Sequence, residues 1–200
     1  MYIARILYPI KVLGPGNRVG IWFDGCRHKC DKCSNPELWD YDEKYNVSIE
    51  TIIKLIDTIA INNRIDGFTI TGGDPFEQPE ALEEVLCYIS TISDDVIVYT
   101  GYEYNQIKHK NILDKIAVLI DGKYIDVLNE GNILKGSSNQ NIIILKDKYK
   151  QKYKAYIANA KPEIQNFNTK DGVISVGIHR RGYEENLDSI LKKKGLQENG

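Results

Sequence analysis

The chain has 200 residues, 42% of them hydrophobic and 27% charged, with a formal net charge of −2. Those figures fit one domain of ordinary size with its own core, and they imply no nucleic-acid partner, which would call for a basic footprint. No run approaches the ~18–20 apolar residues of a membrane span.

The opening, MYIARILYPI, lacks the basic stretch, long apolar core and small-residue cleavage site of a secretory leader. With four cysteines and no export signal, a cytoplasmic location is expected. In a reducing compartment clustered thiols point to metal or redox chemistry. Residues 18–25, RVGIWFDG, read as a strand, because branched and aromatic residues run together and Asp-Gly closes them. A cysteine-bearing loop follows. Residues 48–63, SIETIIKLIDTIAINN, place Ile49, Ile52, Ile53, Ile56 and Ile59 at helical spacing behind Ser48 as N-cap. Residues 66–75, DGFTITGGDP, form a strand ending in paired glycines. Pro79 opens a helix over 79–90 whose buried stripe is Leu82, Val85, Leu86 and Ile89. Strands are expected over 95–101, 116–122 and 141–146, with a weaker helix around 104–114.

The alternation of short apolar runs and helices predicts an α/β fold of parallel strands with helical crossovers, either an open doubly wound sheet or a barrel. The unusual residues fall at the carboxyl ends of successive strands: the cysteines, Gly72-Gly73-Asp74, Thr100-Gly101 and Asp121-Gly122. In both architectures that rim binds ligands. After about residue 146 the pattern changes. A polar, lysine-rich stretch leads to two short strands within 164–180 around a turn from Thr169 to Gly172, and a short helix over 182–195 closes the chain. Residues 147–200 are read as an appendage packed on the core.

Three of the four cysteines stand together as Cys26-x3-Cys30-x2-Cys33. A tetrahedral zinc site takes four ligands, so Cys26, Cys30 and Cys33 with His28 would make a zinc knuckle. A [4Fe–4S] cubane has four irons to ligate, so three thiolates leave one iron open. Cys87 falls off the apolar stripe of its helix and is expected to be partly exposed. His109 sits among lysines and is expected in solvent. His179 carries no assigned role. Arg18 either pairs with a carboxylate or lies on the surface.

The CxxxCxxC loop after a first strand resembles the hallmark of the radical S-adenosylmethionine superfamily. TGGDP, residues 71–75, resembles the motif with which that family receives the methionine ammonium. GPGNRVGIWFDGCRHKCDKCSNPELWD (14–40), YTGY (99–102), LIDGKY (119–124) and KGSSNQNII (135–143) are similar to the branch that activates glycyl-radical enzymes, in the same order. The resemblance implies a partial, open (β/α) barrel over 1–146 with residues 147–200 as a C-terminal extension. It implies a [4Fe–4S] cluster on Cys26, Cys30 and Cys33, and S-adenosylmethionine chelated to the fourth iron by its amino and carboxylate groups. Reductive cleavage would then give a 5′-deoxyadenosyl radical, with no catalytic side chain needed beyond cluster and cofactor. Carried over residue by residue, the cofactor-binding set is Gly72, Gly73, Asp74, Tyr99, Thr100, Gly101, Ser137 and Asn139, with Ser138 and Gln140 in the same late loop. Lys32 stands where the superfamily often has an aromatic, and Asp74 where it more often has glutamate. The implied partners are a glycyl-radical enzyme or another polypeptide substrate, and a flavodoxin- or ferredoxin-type electron donor. Modification of a peptide or small molecule by the same radical is the runner-up. A non-enzymatic metal or electron-transfer module is a third reading, of a different class.

Overall fold

The computed structural model describes residues 1–169, 172–183 and 186. Six strands form one sheet in chain order: β1 (Ile3–Ile10), β2 (Arg18–Phe23), β3 (Gly67–Gly72), β4 (Val96–Tyr99), β5 (Val118–Asp121) and β6 (Asn141–Ile144). β2 to β5 are parallel, and β1 and β6 flank them antiparallel. The parallel alternation expected from the sequence therefore holds in the middle of the sheet and not at its edges. β1 is a strand that the sequence reading did not assign.

The helices form where the apolar spacing places them. α1 (Ile49–Asn62) opens on Ser48, whose hydroxyl accepts from Thr51 N at 3.4 Å. α2 (Pro79–Ile89) buries Leu82, Val85, Leu86 and Ile89. The weak helix around 104–114 resolves into a 3-10 turn over Tyr104–Gln106 and one α-helical turn, α3 (Lys110–Leu113).

Strand periodicity divides the core in two. Val19, Ile21, Phe23, Phe68, Ile70, Val96, Val98 and Leu119 face α1, α2 and α3. The alternate residues Ile97, Val118 and Ile120 face the other way, as a period of two requires. They are covered by α4 (Lys150–Asn159), another element absent from the sequence reading, whose Tyr153 is fully buried. Beneath that helix Arg18 is also fully buried. It donates to Thr69 Oγ1 at 2.8 Å and to the backbone carbonyls of Phe68 (2.5 Å) and Asp95 (2.8 Å), and its guanidinium lies 3.3 Å from the Asp95 carboxylate. The carboxylate partner anticipated for Arg18 is thus Asp95, which Tyr153 Oη and Lys152 Nζ also reach.

The two strands expected after residue 163 form a separate hairpin, β7 (Ile164–Thr169) and β8 (Gly172–Gly177). It packs Val176, Ile174 and Phe167 against Ile10, Leu13, Trp22 and Leu38 beside β1 and β2. The helix expected over 182–195 lies, beyond its first residues, outside the described residues. Among the described residues no helix is long and apolar enough to cross a membrane.

Candidate metal and nucleotide site

The carboxyl ends of β2, β3 and β4 meet at a cavity of about 380 Å³, within the ~300–1,000 Å³ typical of small-molecule pockets. Cys26, Cys30 and Cys33 all line it, with Gly72, Gly73, Asp74, Tyr99, Thr100 and Gly101. The positions singled out at successive strand ends are therefore brought together, except Asp121, whose carboxylate accepts from Tyr104 N and Asn141 while its neighbour Gly122 lines the cavity.

Two left-handed residues, Lys29 (φ 44°) and Lys32 (φ 54°), bend the cysteine loop back on itself. Its start is fixed by backbone: Gly25 N donates to Leu38 O at 3.0 Å and Cys26 N to Trp39 O at 2.8 Å. Backbone N–H groups of His28 and Lys29 face the Cys26 sulfur, that of Tyr124 faces Cys30, and Asn35 N lies 3.5 Å from Cys33 Sγ. Amides aimed at sulfur stabilise thiolate and are a usual feature of iron–sulfur ligation. Burial nevertheless pushes the Cys26 thiol up to about 11, and burial with the neighbouring Cys33 also raises Cys30. A bound metal would hold these groups as thiolates where solvent does not.

The three thiols are not drawn together around one point. Among the described residues no three Cys, His, Asp or Glu side chains gather closely enough to hold a single metal ion. His28, the fourth ligand of the zinc reading, lines the same cavity, with its ring beside Asp74 and Tyr102. Its Nε2 lies 3.0 Å from Asp74 Oδ2, out of line for a hydrogen bond, and its ring stands edge-on to Tyr102 at 4.6 Å.

The paired glycines are needed for contact within the chain. A Cβ on Gly72 would stand 2.2 Å from the Phe23 carbonyl oxygen, and one on Gly73 2.3 Å from the Gly25 carbonyl oxygen. Only bare backbone lets the end of β3 lie against the root of the cysteine loop. Gly101 serves the same purpose from β4, since a Cβ there would meet the His28 ring at 2.5 Å.

Asp74 ties these pieces together. Its carboxylate accepts from Phe76 N (3.0 Å), Thr100 Oγ1 (2.9 Å) and Gly101 N (2.8 Å), and its own N–H donates to Gly25 O (2.8 Å). With His28 beside it, the carboxylate is engaged on both oxygens and only 1% exposed.

The late polar loop is placed differently from the expectation. Ser137 Oγ accepts from Ile125 N and Asn139 Nδ2 donates to Lys123 O, and neither residue lines the cavity. Gly136 and Gln140 line it instead, Gln140 holding Gly136 N and the Gly122 carbonyl at 2.8 and 2.7 Å. Hydroxyl and amide side chains so near a turn are taken up by its backbone.

The sequence reading missed the far wall, made of Tyr124, Asp126, Asn129 and residues 177–183. Tyr124 lay within a stretch already noted, but no local signal brings 177–183 to the cysteines. Tyr99 Oη and His179 Nε2 are shielded from solvent and have no hydrogen-bond partner among the described residues. Burial raises the Tyr99 phenol and lowers His179, so both are neutral at pH 7. Cys87 and His109 are exposed, away from the cavity.

Residues 12–143 match the family model described as a 4Fe-4S single cluster domain. An anaerobic ribonucleoside-triphosphate reductase-activating protein of Enterobacteria phage T4 is 34% identical over 142 residues, 68% of this chain and 90% of that protein. Its namesake in Escherichia coli K12 is 30% identical over 148 residues, 66% of this chain and 92% of that protein. A pyruvate formate-lyase-activating enzyme of Clostridium pasteurianum is 29% identical over 122 residues, 56% of this chain and 48% of that protein. The thiol trio, the glycine-built strand ends and these likenesses agree: the chain belongs to the 4Fe-4S single-cluster family, among the anaerobic ribonucleoside-triphosphate reductase-activating proteins.

Proposed function

We propose that this chain is a radical S-adenosylmethionine activase that installs a glycyl radical on a partner enzyme of the anaerobic ribonucleotide reductase kind. The observation that carries the reading is the cavity itself, where three cysteines and the glycine-built strand ends share one small-molecule-sized space. Cys26, Cys30 and Cys33 would hold a [4Fe–4S] cluster, with the sulfur-facing amides of His28, Lys29, Tyr124 and Asn35 supporting the thiolates. When bound, the cluster would supply the electron for reductive cleavage of S-adenosylmethionine, and with it the radical chemistry that removes a Cα hydrogen from the target glycine.

The chain's own contribution is to bind, orient and exclude water. Gly72, Gly73, Thr100 and Gly101 border the space that the nucleotide would fill. Asp74, engaged by its own chain, would build the site and not touch the methionine ammonium. Ser137 would support the rim from behind through Gln140, and Asn139 through the Lys123 carbonyl. The parallel strands β2 to β5, with α1, α2 and α3 on one face and α4 over the other, are read as a partial, open barrel. Residues 1–146 form its core, and the extension packs on it. A flavodoxin- or ferredoxin-type protein is the proposed electron donor.

Anaerobic reconstitution followed by iron and sulfide counting and assay of 5′-deoxyadenosine tests this. About four irons per chain and dithionite-dependent nucleoside formation are expected. One zinc ion per chain with no nucleoside formed would refute it.

A further inference from the structure

One wall of the cavity lies outside the family core. The family model ends at residue 143, and the activating proteins are covered over nine-tenths of their own length by about two-thirds of this chain. The hairpin β7–β8 belongs to the remainder. It is held beside β1 by its apolar face and by Gln165, which donates to Pro9 O at 2.6 Å and accepts from Lys11 N at 3.0 Å.

The chain leaves that hairpin at Gly177, and each residue from there to Tyr183 lines the cavity. The segment is anchored again on the opposite side, to the loop after β5. Asn129 Nδ2 donates to the His179 carbonyl at 2.8 Å, and Arg181 Nε lies 3.2 Å from Asp126 Oδ2. Between the anchors it stiffens itself: the His179 and Tyr183 rings stack at 4.4 Å and 8°, and Tyr183 N closes a turn on Arg180 O at 3.0 Å. The strap therefore runs from the β1–β2 side of the sheet to the β5 side, past the carboxyl ends where the cysteines sit.

We propose that Gly177–Tyr183 is a fixed wall of the radical pocket, added by this chain to the family core, that governs access to Cys26, Cys30 and Cys33. The inference rests on the cluster reading above.

The test uses the full chain reconstituted with iron and sulfide. Asn129→Ala with Arg181→Ala removes the far anchors, and Arg64→Ala, which breaks a surface pair with Asp66, serves as a remote control. Iron release to a ferrous chelator in excess should accelerate roughly ten-fold in the double variant and stay at the parent rate in the control, because chelation tracks local opening. Hydrogen exchange across 177–183 should rise in the same variant. Faster exchange with a release rate within two-fold of the parent would overturn the proposal. Should the strap stay protected, Ile178→Gly with His179→Gly removes its side chains directly, and an unchanged release rate there would overturn it equally. Failure of the cluster reading looks different, since the parent would then hold no cluster from which to measure release.

Discussion

Gly73 has no room for a methyl group, and what blocks it is the backbone of Gly25, one residue before Cys26. Backbone cannot swing aside, so Gly73→Ala should push the cysteine loop outward. The expected cost is about 1–3 kcal/mol of stability, with iron content falling by more than half after reconstitution. Gly101→Ala meets a side chain, the His28 ring, which can rotate away, so it should retain most of its iron. Equal iron in the two variants would contradict this account of the glycines. At Asp74 two roles separate cleanly. Removing the carboxylate in Asp74→Ala leaves Phe76 N, Gly101 N and the Thr100 hydroxyl without their acceptor. A loss of about 2–4 kcal/mol is expected, because buried donors left unpaired carry their full desolvation cost. Asp74→Asn, which keeps one acceptor oxygen, should recover part of it. A lowered melting temperature with unchanged S-adenosylmethionine affinity supports a building role. The reverse pattern, weaker affinity with an unchanged melt, would return the methionine ammonium to this carboxylate. Among the cysteines, Cys26→Ala, Cys30→Ala and Cys33→Ala should each abolish the cluster, and Cys87→Ala, exposed on α2, should leave it intact. Iron analysis of the four variants decides.

The elements that were legible in the sequence are those whose burial is written in their own period. α1 and α2 carry stripes of isoleucine, leucine and valine, and β2 to β5 are short apolar runs closed by glycine or aspartate. β1 and α4 were not legible, for different reasons. β1 is an edge strand that mixes Arg5 and Pro9 with its apolar residues, so neither face dominates. α4 reads KQKYKAYIAN and sinks one side chain fully, Tyr153, so its burial depends on a partner distant in sequence. The direction of β6 was hidden too, since the residues Asn141–Ile144 suit either sense of pairing. Tyr153 gives the element-scale prediction. It closes the sheet face formed by Ile97, Val118 and Ile120 and reaches Asp95 above buried Arg18. Tyr153→Ala should cost about 3–5 kcal/mol, lowering the melting temperature by roughly 6–20 °C for a chain of this size. Tyr153→Phe keeps the packing and loses one hydrogen bond, for a cost of about 1–2 kcal/mol. Two variants that melt alike would place the stability in the hydrogen bond and not in the packed ring.

At the scale of the whole molecule, the boundary read near residue 146 separates two patterns of sequence, yet the two sides share a core and a cavity. α4 covers the sheet, and the strap after β8 lines the same space as the cysteines. The candidate site was legible where chemistry is concentrated in a few neighbouring residues, as in the thiol trio and the glycine pairs. It was not legible at residues 177–183, whose place depends on a hairpin docking beside β1. Nor was the inward role of Gln140 visible, because Ser137, Ser138 and Asn139 beside it are equally polar. The claim on which the rest depends is that the three cysteines hold a cluster with one iron left for S-adenosylmethionine. The most direct test is electron paramagnetic resonance of the dithionite-reduced, reconstituted protein with and without S-adenosylmethionine. A [4Fe–4S]⁺ signal whose shape and g-values shift when the nucleotide is added is the predicted result; a signal that the nucleotide leaves unchanged would contradict it.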